Sequence, residues 1–200
     1  MNKDFIKITR SIMNYYVGPF VLKEVYIKKA DAKYLCVSCN DPFGNNMIML
    51  LDGKHDKEPN SVVKFRLADN NCYISHFHTM PDSQSKGLGR YVYDTALGYA
   101  DMLGYTHSDG CIFPCAEITA VSNRDAYNQL HKIKEDVRLN FLIECYTALG
   151  NKVEPDPEGI FDYVFSCNWE SGEKLSSLNN DQSIFVEEIY EANNPESESN

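Results

Sequence analysis

The residues best suited to chemistry are Gln84, Ser85, Lys86, Gly87, Gly89 and Arg90, which bring glycines, cations and a hydroxyl into one short turn. They belong to Pro81-Asp82-Ser83-Gln84-Ser85-Lys86-Gly87-Leu88-Gly89-Arg90, which joins a run of β type over residues 72–79 to a periodic helix over residues 89–103. A strand, a glycine turn and a helix start make an anion site. The first turn of a helix leaves N–H groups unpaired, and the aligned peptide dipoles add partial positive charge there. Gly87 and Gly89 let the backbone bend and let a phosphate approach without meeting a Cβ, while Lys86 and Arg90 place cationic charge beside it. Two common phosphate loops are excluded. No G-x-x-x-x-G-K-[ST] string occurs, and a dinucleotide turn needs three glycines near the first strand, where this chain has two after a series of hairpins. What remains is Q/R-x-x-G-x-G/A, met by Gln84, Gly87 and Gly89.

Two further groups could take part in chemistry. His76 and His78 alternate with Phe77 and so share one face of their strand, where an imidazole titrates in the range useful to a general base or serves a structural role. Cys36, Cys39, Cys111 and Cys115 could offer four thiolates, but each pair lies in a β-like run that can turn its members apart, and no metal site is predicted.

The elements that must hold these residues are mixed. Apolar residues at Phe5, Ile8, Ile12, Met13 and Tyr16 predict an N-terminal amphipathic helix ended by Gly18-Pro19. β-type runs follow over residues 20–27, 33–38, 46–51, 62–67 and 72–79, each bounded by turn chemistry such as Asp52-Gly53, and they predict antiparallel hairpins. Leu88, Val92, Ala96, Tyr99 and Leu103 mark the buried face of the next helix, which Gly104 stops. Residues 105–122 predict a broken strand, with fragments at 111–113 and 118–121 separated by Pro114. Ala126, Leu130, Ile133, Val137, Phe141, Cys145 and Leu149 predict one helix over residues 124–149, or a helix that breaks near Lys134-Glu135-Asp136. Phe161, Tyr163 and Phe165 alternate as a strand, and a short helix is predicted over residues 182–191. The fold class is therefore α/β (α+β). One domain is expected over residues 1–170, with a polar acidic extension over 171–200 that is partly disordered.

Composition narrows the partners. With 43% hydrophobic and 24% charged residues the chain reads as globular, and the formal charge of −10 opposes nucleic-acid binding through phosphates while favouring a cationic partner. No run reaches the about 18 apolar residues of a membrane span. The polar start, the lack of a leader pattern and an odd count of seven cysteines lead to an expected cytoplasmic location without membrane contact. Oligomeric state is not legible.

The flanks of the glycine turn carry a family likeness. Pro81-Asp82-Ser83-Gln84-Ser85-Lys86-Gly87-Leu88-Gly89 resembles the acyl-CoA pyrophosphate loop of the GNAT superfamily, the acyl-CoA-dependent N-acetyltransferases. Ala100-Asp101-Met102-Leu103-Gly104-Tyr105 resembles the A-x-x-x-G-aromatic end of that family's next helix. Tyr146-Thr147-Ala148-Leu149-Gly150-Asn151 is similar to its later Y-x-x-L-G-F, with Asn151 in place of the aromatic.

The resemblance implies a mostly antiparallel mixed sheet, splayed at an acyl-CoA cleft and flanked by helices. Pantetheine would lie along residues 74–79, with a backbone N–H near Phe77, His78 or Thr79 as oxyanion donor. The pyrophosphate would lie on Gln84, Ser85, Lys86, Gly87, Leu88, Gly89 and Arg90, and Asn123 matches the family's cofactor-side asparagine. Tyr146 would be the acid that reprotonates the thiolate. The expected family tyrosine, seven residues after Asn123, is Leu130, so the helix carries an insertion and Tyr127 is a rival. For the base, Glu117 matches a family carboxylate, beside His76, His78 or an ordered water relay.

The implied activity is transfer of an acetyl or short acyl group from acetyl-CoA, as co-substrate, to a primary amine by direct attack through a tetrahedral intermediate. A cationic small molecule, a protein lysine or a protein N-terminus would be the acceptor. The alternative is a noncatalytic module of the same fold that grips a protein partner with or without CoA. A third reading, an acidic decoy for a nucleic-acid-binding protein, rests on charge alone.

Overall fold

The computed structural model describes residues 20–41, 43–52, 59–112, 135–180 and 186–190. The described strands form one nine-stranded sheet. They are β1 (Phe20–Ile27), β2 (Ala32–Asn40), β3 (Asn46–Leu51), β4 (Ser61–Ala68), β5 (Asn71–Thr79), β6 (His107–Ile112), β7 (Lys152–Pro155), β8 (Tyr163–Asn168) and β9 (Val186–Tyr190), in the order β7-β8-β6-β5-β4-β3-β2-β1-β9. Three helices accompany them: α1 (Leu88–Met102), α2 (Glu135–Ala148) and α3 (Glu173–Asn180).

From β1 to β5 the sheet is an antiparallel meander. Its turns are made by residues that tolerate positive φ or bond their own backbone. Asp69 and Asn70 both adopt the left-handed conformation, as a two-residue hairpin requires. Asp41 takes the N–H groups of Phe43 and Asn45 on Oδ1, each at 2.9 Å, and so holds the β2–β3 turn. The pairing of β5 with β6 is the one parallel pair among the described strands.

The main core lies between the sheet and α1, and includes Val25, Ile48, Val63, Phe65, Leu88, Val92, Tyr93, Ala96, Leu97 and Phe165. A second apolar cluster, Leu35, Val37, Cys39, Met47, Met49, Leu51 and Val62, occupies the opposite face. Cys36 belongs to the first cluster and Cys39 to the second, so their thiols point apart.

Several expectations are corrected. The buried stripe of α1 begins at Leu88, Val92 and Ala96 but continues through Ala100, leaving Tyr99 and Leu103 exposed. On α2 the inward residues are Leu139, Leu142, Ile143 and Tyr146, while Phe141 is 54% exposed. The helix is apolar over Leu139, Phe141, Leu142 and Ile143, so spacing alone selects no face. β6 starts at His107, four residues ahead of the expected fragment. Its polar opening His-Ser-Asp-Gly is held in a strand by neighbours on both sides. Residues 186–190, expected within a helix, form β9 against the free edge of β1. Two elements were not anticipated, β7 and α3. The expected N-terminal helix and residues 113–134 lie outside the described residues, and no described helix is long and apolar enough to cross a membrane.

Candidate active site

β5 and β6 share only a short seam among the described residues. β5 pairs with β4 along its whole length but with β6 only at Cys72↔Ser108 and Tyr73↔Asp109, while β6 runs on to Ile112 against β8. From Ile74 onward the edge of β5 that would face β6 has no strand partner among the described residues. Gly110 sits at the fork: a Cβ there would lie 2.4 Å from Phe165 Cζ and 2.8 Å from the Ile74 carbonyl oxygen. Only glycine lets the Phe165 ring cross at this point.

A bulge sets what β5 shows to each side. Lys64 opposes His76 and Phe65 opposes Ile74, so Ser75 is an extra residue, and its hydroxyl donates to the Lys64 carbonyl at 3.3 Å. Before the bulge Cys72 and Ile74 enter the main core; after it Phe77 does. His76 and His78 share a face, as expected, with ring centroids 6.4 Å apart, and it is the face away from α1: His78 pairs with Val62 of the second cluster.

The turn after β5 is pinned before it is shaped. Asn60, 1% exposed, accepts from Asp52 N–H on Oδ1 at 2.7 Å and donates Nδ2 to Ser83 Oγ at 3.2 Å. Its N–H donates to the Leu50 carbonyl, and its carbonyl accepts from Met80 N–H. Thus one buried side chain ties the end of β3 and the start of β4 to the turn Pro81–Ser83. Sequence reading missed it, because the partners of Asn60 come from two separate stretches, residues 50–52 and 80–83.

Next, Ser85 and Gly87 both take positive φ, at 61° and 84°. The first helical bond runs from Tyr91 N–H to the Gly87 carbonyl at 3.0 Å, so the N–H groups of Leu88, Gly89 and Arg90 are the helix's unspent donors. A Cβ on Gly89 would come 2.8 Å from Thr79 Oγ1 and 3.2 Å from Phe77 Cζ, so glycine lets the helix start press against the end of β5. Gln84 Nε2 donates to the Thr79 carbonyl at 3.2 Å, closing the turn on that strand.

Not every cation behaves as its position implies. The Arg90 guanidinium donates to the Ala148 carbonyl and lies 3.9 Å from Asp94 Oδ2, so its side chain caps α2 while its backbone N–H stays at the turn. Lys86 is exposed. Lys29, which sequence reading passed over, lays its stem against Gly87, with a built Cβ there 3.4 Å from Lys29 Cβ. Its only signal was the Lys28-Lys29 pair just ahead of the β1–β2 turn.

Tyr146 reaches the cleft from α2 through aromatic packing. It is 9% exposed, stacks on Phe165 with centroids 4.1 Å apart, and meets Phe77 edge-on at 6.0 Å. Burial pushes its pKa up, with the neighbouring Cys145 thiol adding to the effect, so the phenol is protonated at neutral pH. Phe77, Thr79, the turn 84–90 and Tyr146 are brought together around α1; His78 projects to the other face. Glu117, Asn123, Tyr127 and Cys115 lie outside the described residues.

No family model matches the chain, and no curated protein sequence matches it significantly. Among solved structures, the PaiA N-acetyltransferase from Thermoplasma acidophilum in complex with coenzyme A is similar at 11% identity and a TM-score of 0.41, over 62% of this chain and 60% of its own. An acetyltransferase from Bacillus subtilis in complex with CoA is similar at 11% identity and 0.39, over 63% and 78%. A cAMP-binding acyltransferase from Mycobacterium smegmatis is similar at 7% and 0.49, over 90% and 54%. This chain thus spans less than two thirds of the first and third of these proteins, and no activity follows from likenesses of this size. The mixed sheet, the parting of β5 from β6 and the glycine turn at the start of α1 make the fold GNAT-like in the chain's own geometry.

Proposed function

We propose that this protein is an acyl-CoA-dependent N-acyltransferase that moves an acetyl or short acyl group to a primary amine. The observation that carries the proposal is the conjunction of an open strand edge and an anion turn. Beyond Ile74 the backbone of β5 offers donors and acceptors to an extended amide chain. Where that edge ends, the N–H groups of Leu88, Gly89 and Arg90 are left to receive an anion. Amide groups followed by a pyrophosphate are the covalent order of coenzyme A. Gly89, which has no room for a Cβ beside Thr79 and Phe77, brings those donors close against the end of that edge.

Bound acetyl-CoA would supply the electrophilic thioester carbonyl. The chain supplies the rest. A backbone N–H among Phe77, His78 and Thr79 is the donor for negative charge developing on the carbonyl oxygen. Tyr146, held protonated by burial, is the proton source for the departing sulfur, through proximity more than acidity. His78, His76, Glu117 or a relayed water takes the proton of the amine. The net charge of −10 supports a cationic acceptor, either a small molecule or a protein lysine or N-terminus.

Calorimetry with CoA and a release assay for free CoA thiol over a panel of amines test this together. Stoichiometric binding and amine-dependent release are expected, with Tyr146→Phe slowing release by about tenfold or more. An intact fold that binds no CoA sinks the proposal. Binding without release by any amine leaves the noncatalytic reading in its place.

A further inference from the structure

Two bonds join the helix that begins at the anion turn to the helix that carries Tyr146. Tyr93, wholly buried on α1, donates its hydroxyl to Asn151 Oδ1 at 2.8 Å. Asn151, 5% exposed, gives its other polar groups to a single acceptor: its N–H and its Nδ2 both donate to the Tyr146 carbonyl, at 3.1 and 3.0 Å. One turn earlier on α1, Arg90 donates to the Ala148 carbonyl. The Phe77 ring lies 5.6 Å from Tyr93 and 6.0 Å from Tyr146, so it packs against both ends of this connection.

We infer that Tyr93 and Asn151 are positioning residues which fix Tyr146 relative to the cofactor turn. This rests on the reading above, in which Tyr146 delivers a proton to the sulfur. The argument is one of leverage. The carbonyl that Asn151 grips belongs to Tyr146 itself, so the depth of the phenol in the cleft is set by a strut whose other end is Tyr93. Tyr93 lies only about one turn from the N–H groups that would hold the pyrophosphate. A buried asparagine with its amide and backbone N–H all bonded has no alternative partner to relax towards. Releasing the strut therefore shifts the proton donor rather than the binding turn.

The test separates a positioning role from a structural one. Tyr93→Phe keeps the ring and removes one oxygen; Asn151→Ser keeps a polar group too short to span the gap. In each, the maximal rate of CoA release is expected to fall about tenfold while the CoA dissociation constant stays within about twofold, the pattern of a misplaced catalytic group. In a Tyr146→Phe background the same substitutions should change the residual rate by less than about twofold, because the group they place is gone. An equal loss in both backgrounds, or CoA binding weakened in step with the rate, overturns the inference. If the unsubstituted protein binds CoA but releases none with any amine, the reading beneath it falls, and the inference with it.

Discussion

The two ends of α1 solve opposite problems with similar backbone. At its start, Gly87 takes a left-handed φ, no side chain caps the helix, and three N–H groups are left unspent. At its end, the N–H groups of Leu103, Gly104 and Tyr105 all return to carbonyls of the last turn. There Asp101 lends its carboxylate to another helix: Oδ1 accepts from Gly172 N–H at 2.7 Å and Oδ2 from Leu175 N–H at 3.0 Å, the donors at the start of α3. One end is left incomplete; the other is completed by the protein. The lesson is that unsatisfied donors at a helix start mean something when the opposite end of the same helix shows the chain able to satisfy them.

Breaking the incomplete end should give the largest effect. Gly87→Glu forces a side chain into a left-handed position and brings a carboxylate to an anion site, so CoA affinity should fall by about 100-fold or more in calorimetry, beyond the cost of about 1–2 kcal/mol in folding. Comparable affinity for the variant would show that no anion binds at this turn.

Breaking the completed end should do the reverse. Asp101→Ala removes two charge-assisted bonds and the cap of α3, and thermal or denaturant unfolding should report a loss of about 2 kcal/mol with CoA affinity unchanged. A fall in affinity as large as that of Gly87→Glu would mean that the two ends are not independent.

The smallest effect sharpens the same contrast through pH. Burial pushes the Asp101 carboxyl upward, but the N–H groups of Leu175, Gly172 and Lys174 outweigh it and hold the pKa below the usual carboxylate range. A lowered folded value means that this stabilisation is fully present above the unfolded pKa of about 3.9 and is lost as pH falls through the folded one. The stability difference between the unsubstituted protein and Asp101→Asn should therefore be constant from about pH 5 to 7 and shrink below about pH 4. A difference that is still full at pH 2 would remove the charge from the explanation.

These contrasts also explain what could be read from the sequence. The boundaries of β1 and β3 were legible to the residue, and β4 and β5 nearly so, because local turn chemistry sets them. The glycine turn ahead of α1 was legible for the same reason: Gly87 and Gly89 act through their own backbone, one by its left-handed φ and the other by its close approach to Thr79. What escaped depends on distant partners. α3 is polar and starts where Asp101, 71 residues upstream of Gly172, receives it. β9 exists as a strand because β1 has a free edge, and its five residues favour neither period strongly. Phe141 and Leu142 are equally apolar, and only the docked helix decides which is covered. The strut through Asn151 could be suspected only as a polar residue where the resembling motif has a ring.

The bulge at Ser75 gives β5 something like a reading frame. Upstream of it the even-numbered residues address the helix side; downstream the odd-numbered ones do, and the frame changes between the closed and the open part of the seam with β6. Removing that one residue would let His76 follow Ile74 directly and leave Phe77 opposite Val63 and His78 opposite Val62, so both side chains would keep their sides while the local kink and extra twist are lost. The extra residue thus lets a sequence whose parity shifts at Ser75 keep Cys72, Ile74 and Phe77 on one face of the sheet, which a count of every second residue would miss.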